Sequence, residues 1–133
     1  MPVRPVPEGA APEWAADTPI GTAFGALRAA AQLGAGLLSD EDVALVRASV
    51  AAWDGVAPLP LHGEEVPDRA ERPGARLALL AARAPYRITD EDVAAWLAPP
   101  FTDHCLVHLI AFGAICAVER IEATLTARTE ERA

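Results

Sequence analysis

The sequence predicts an all-α protein, a compact array of about six helices with two similar helix-turn-helix units. Alanine supplies 30 of the 133 residues, and no side chain favours helix more. A helix start, Leu-Ser-Asp-Glu-Asp-Val-Ala at 38–44, recurs as Ile-Thr-Asp-Glu-Asp-Val-Ala at 88–94. In each copy Ser39 or Thr89 is placed to accept from a backbone N–H three residues on, and Asp42 or Asp92 to close a capping box. The three acids of each first turn suit the positive end of the helix dipole. Beyond Thr102, the apolar Leu106, Leu109, Ile110, Phe112, Ile115, Ile121 and Leu125 cover most of a helical circumference, which marks a buried central helix.

The elements follow in order. Residues 1–12 carry four prolines and little apolar content, so they read as an extended arm, with a single domain over 13–128 and a polar tail at 129–133. A short helical turn is expected at 13–17. Thr18-Pro19 then gives an N-cap and a first-turn proline for a helix through about residue 33, closed by Gly34 and Gly36. Gly21 and Gly25, four apart, leave that helix a smooth patch for close packing. Helical runs at 26–31 and 76–83 precede the two repeated starts, which makes each unit a helix, a turn and a helix. Residues 54–74, rich in Pro, Gly and acids, read as a long connection of the kind that is functional or mobile. Thr102 caps the last helix, which is expected to run to about 127.

Composition excludes several classes of function. The formal charge is −8 and every cation is arginine, so a phosphate backbone would meet net repulsion and no nucleic-acid partner is expected. The longest uncharged run, 104–118, falls short of the roughly 20 residues that a spanning helix needs. No membrane partner is expected, and an opening of Pro, Gly and charge unlike a secretory signal makes a cytoplasmic location the expectation. Cys105 and Cys116 lie on one helix, roughly 16 Å apart at 1.5 Å per residue, beyond disulfide reach. Both read as small core residues.

Few residues carry candidate chemistry. Glu13 and Asp17, four apart, share one face if helical, and two close buried carboxyls raise one another's pKa. His104 and His108 have the spacing of two helical metal ligands, but the sequence shows no third. No metal and no cofactor are expected, and His108 is instead suited to general-base work. His62, in the long connection, is placed to lie over a pocket, and Trp14 and Phe112 are placed to supply apolar walls.

The paired helix starts, together with the closing stretch from Phe101 through Gly113-Ala114 to Ile121, resemble the carboxymuconolactone decarboxylase and alkylhydroperoxidase-like superfamily of small helical homo-oligomers. The resemblance covers roughly residues 10–127. Its peroxidase branch works through Cys-x-x-Cys ahead of the first helix start, and residues 13–36 hold no cysteine. A cysteine-free branch carries Glu-Trp-x-x-His there, which Glu13-Trp14-Ala15-Ala16-Asp17 resembles with aspartate in place of histidine. The resemblance therefore implies a cofactor-free enzyme, a lyase such as a decarboxylase or an isomerase, acting on a small acidic or carbonyl metabolite. Glu13, Asp17 and His108 would be catalytic, and Trp14, His62, His104 and Phe112 would bind substrate. The alternative is a non-catalytic oligomeric scaffold, with thiol peroxidase activity disfavoured in both cases.

Overall fold

A computed structural model describes residues 17–55 and 65–132 of the chain. Over these residues the fold is all-α: α1 (Pro19–Ala35), α2 (Asp40–Ala51), α3 (Pro73–Arg83), α4 (Asp90–Trp96) and α5 (Asp103–Arg132), with one 3-10 turn at Pro85–Arg87. No strand occurs among the described residues. The connection between α2 and α3 is as long as the sequence suggests, running over 52–72, and within it Val66 and Pro67 are buried. The last helix is longer than expected: α5 continues as helix through 129–132, where a tail was expected.

The caps form as their residue types require. The Thr18 side chain accepts from the Gly21 amide and that of Ser39 from the Asp42 amide. Only the second repeat completes a capping box, with Thr89 accepting from the Asp92 amide while the Asp92 carboxylate accepts from the Thr89 amide. The Asp42 carboxylate instead takes a guanidinium N–H of Arg72, and Arg72 also pairs with Glu41 at 3.2 Å. Asp92 does more than cap. Only 1% exposed, it accepts from Arg69 Nε at 2.6 Å and Arg76 Nε at 2.8 Å. Burial alone would raise its pKa, but the Thr89 amide and the two guanidinium groups outweigh that and hold the carboxyl far below the usual carboxylate range. The two acidic helix starts therefore clasp the arginines at the head of α3 from either side.

Helix α5 is the axis on which α1, α2 and α3 pack. Close approach depends on glycine at the points where backbones meet. A Cβ on Gly34 would lie 1.9 Å from the His108 carbonyl oxygen, and one on Gly113 would lie 2.2 Å from that of Ala78. Gly34 is therefore a packing residue inside α1, and Gly36 alone caps the helix. Gly21 and Gly25 are buried as the smooth patch predicts. The core joins Val46, Ala75, Leu77, Trp96, Leu109, Phe112 and Ile115, with Phe101 stacked on Trp96 at 4.4 Å between centroids. The end of α2 is tied to α5 by Arg120 Nε donating to the Trp53 carbonyl and the Thr124 hydroxyl donating to that of Asp54. Burial along α5 is uneven: Leu109, Phe112 and Ile115 are in the core, while Leu125 is 53% exposed, so only part of the helix is a buried centre. By length and composition alone α5 is apolar enough to cross a bilayer.

Candidate functional site

Three contacts fix the direction of α1 on α5. Phe24 lines a groove with Val118, Ile121 and Leu125, Arg28 pairs with Glu119 and Glu122, and Gly34 meets the His108 backbone. The helices are antiparallel. Asp17, just before α1, is thus beside the C-terminal half of α5, whereas His104 and His108 are at its start. At 1.5 Å per residue, the 17 residues from Asp17 to the level of Gly34 amount to roughly 25 Å. One chain does not bring Asp17 and His108 to a common substrate, which corrects the expectation of a pocket between them.

The other described site residues differ in their exposure. Phe112 is 3% exposed, in the core beneath the Arg47 guanidinium at 5.8 Å. His104 is exposed and His108 half-buried. No group of three or more His, Cys, Asp or Glu able to hold a metal occurs among the described residues. Glu13, Trp14 and His62 lie outside the described residues. Asp17 is exposed, with a left-handed φ of 62° that marks the turn into α1.

What gathers instead is the first turn of α5. Thr102 precedes the helix, its hydroxyl accepting from the Cys105 amide at 3.5 Å and donating to Cys105 Sγ at 3.5 Å. That hydrogen bond, with the backbone around it, lowers the pKa of the Cys105 thiol against a small opposing effect of burial. Amides at a helix start favour an anion in the same way. His104 is its neighbour, and His108 lies three residues on, on the same side of the helix. Cys116 is the opposite case: burial pushes its thiol up, with Arg47 opposing. The sequence treats the two cysteines alike, and both are half-buried, but the structure separates a thiol acidified by Thr102 from one that burial pushes up. The signal was present in Thr102 and Cys105, an N-cap and the third helical residue after it.

A curated protein from Mycobacterium tuberculosis named alkyl hydroperoxide reductase is 37% identical to this chain over 125 residues. The match covers 88% of this chain and 36% of that protein, so the chain spans about a third of the relative's length. No family model matches the sequence. No solved structure matches it either. The relative's name agrees with the resemblance carried by the two repeated helix starts.

Proposed function

We propose that the chain is a unit of the carboxymuconolactone decarboxylase and alkylhydroperoxidase-like superfamily that reduces a small hydroperoxide through Cys105. The observation that carries this is the acidified, half-exposed thiol under the Thr102 hydroxyl. The name of the relative supports the same chemistry. In the reaction the Cys105 thiolate attacks the terminal peroxide oxygen and the O–O bond breaks. The alkoxide takes a proton and leaves as alcohol, and sulfur is oxidised to the sulfenic acid. Cys116, roughly 16 Å along the same helix, is too far to condense with it. A small thiol from solution therefore condenses instead, releasing water, and a second thiol regenerates Cys105.

Peroxide consumption with a monothiol reductant tests the reading. Cys105→Ser is expected to reduce the rate to background, Cys116→Ser to leave it within about twofold, and Thr102→Val to slow it near neutral pH as the thiolate fraction falls. Equal rates for Cys105→Ser and the parent contradict the proposal.

A second reading keeps acid/base decarboxylation, isomerisation or elimination of a small acidic or carbonyl metabolite, with His108 as base. The observation in its favour is the half-buried placement of His108 against α1, where Gly34 meets its backbone. It predicts a carboxylic-acid ligand that raises the melting temperature, and loss of roughly 10²–10⁴-fold in turnover for His108→Gln with no effect of Cys105→Ser.

A further inference from the structure

Helices α1 and α5 leave an apolar groove of about 320 Å³ between them, at the end where α1 begins. Phe24 lines it from α1, and Val118, Ile121, Glu122 and Leu125 line it from α5. Ile20 and Leu27, four before and three after Phe24, prolong the first wall and are 66% and 39% exposed, while Leu125 is 53% exposed. Contiguous aliphatic surface of this kind is unfavourable in water and marks a place that something covers. The chain has 16 residues before Asp17. They join the fold at the mouth of this groove, because Asp17 stands just before α1 and α1 runs antiparallel to α5. With its left-handed φ of 62°, Asp17 turns the chain there instead of prolonging the line of α1.

We propose that the groove is the docking site of this chain's own N-terminal segment, with the Trp14 indole seated between Ile20 and Phe24 on one side and Ile121 and Leu125 on the other. Reach agrees. From Asp17 to Phe24 is about 10 Å along a helix, and the chain from Trp14 to Asp17 spans up to about 10 Å when extended. Composition agrees too, since residues 10–16 are alanine, proline and tryptophan apart from Glu13. Arg128, exposed one turn beyond Leu125, presents the opposite charge to Glu13 at the mouth. Glu122 in the lining supplies an acceptor for the indole N–H, which a buried tryptophan needs. The tether favours this occupant over any other. A segment held by a short linker is at an effective concentration of about millimolar, whereas a separate molecule loses its translational freedom on binding. The inference does not depend on the chemistry of Cys105.

Tryptophan fluorescence of the full chain tests it, the difference between the parent and Trp14→Phe isolating Trp14 from Trp53 and Trp96. The expected Trp14 emission lies to the blue of a free tryptophan amide and resists quenching by acrylamide. That shielding is expected to be the same from about 1 to 100 µM, as an intramolecular contact requires. Trp14→Ala is expected to lower the melting temperature by roughly 5 °C. Ile20→Glu and Leu125→Glu, each at an exposed position, are expected to return Trp14 to water with unchanged helical circular dichroism. Tyr86→Glu, 84% exposed and outside the groove, is expected to leave Trp14 shielded. A Trp14 quenched as freely as a tryptophan amide overturns the proposal. So does shielding that both groove variants leave intact, or shielding lost on dilution, which would place the segment on a second copy.

Discussion

Asp92→Ala is expected to lower the stability of the fold by about 3 kcal/mol, a fall of roughly 10 °C in melting temperature by circular dichroism. Removing the carboxylate leaves the Thr89 amide without its capping partner and two guanidinium groups without their counter-charge. Arg69 is 42% exposed and regains water, which keeps the loss toward the low end of what breaking a buried ion pair costs. Asp42→Ala, at the matching position of the first repeat, is expected to cost about 1 kcal/mol, because its carboxylate is partly solvated. Asp92 also sets the acid limit of the fold. Its carboxyl pKa is depressed in the folded state, so its contribution is complete above the unfolded value of about 3.9 and is lost as pH falls from there toward the folded value. Asp92→Asn is expected to flatten the acid unfolding profile over that window, and an unchanged profile would contradict the assignment.

Gly34→Ala is expected to destabilise by about 2 kcal/mol even though alanine is the better helix former. The propensity gain is about 1 kcal/mol. Against it stands a Cβ only 1.9 Å from the His108 carbonyl oxygen, a contact relieved only by moving α1 away from the first turns of α5. Gly36→Ala is the control. Its Cβ would lie 3.3 Å from the nearest atom, and its φ of −66° is open to any residue, so a change within about 0.5 kcal/mol is expected in denaturant unfolding. Equal effects at the two positions would contradict the close packing of α1 on α5.

The sequence made the helix starts legible because caps are local: Thr18, Ser39, Thr89 and Thr102 each act on amides within three residues. It also made the repeat legible, but not the divergence of its copies. Asp92 and Asp42 have the same neighbours in sequence, and what separates them is the burial of one against Arg69 and Arg76, a non-local fact. Arg69 went unread because 54–74 looked like a connection, and Arg76 because it was taken only as the start of a helical run, although 69, 72 and 76 stand at helical spacing. The failure at Asp17 and His108 has a topological cause. Nothing in either segment states that α1 runs antiparallel to α5, and Gly34, read as a helix stop, was the residue that records the crossing. Cys105 was legible in part, for the cap three residues before it was recognised and its effect on the thiol was not drawn.

The most direct measurement is the pH dependence of thiol alkylation, followed by intact mass in Cys116→Ser, where Cys105 is the remaining thiol. The account predicts a Cys105 pKa below that of an ordinary cysteine and a rise on Thr102→Val, with Cys116 in the Cys105→Ser protein titrating above both. A Cys105 thiol that titrates at or above the ordinary value, or that ignores Thr102→Val, would contradict the account.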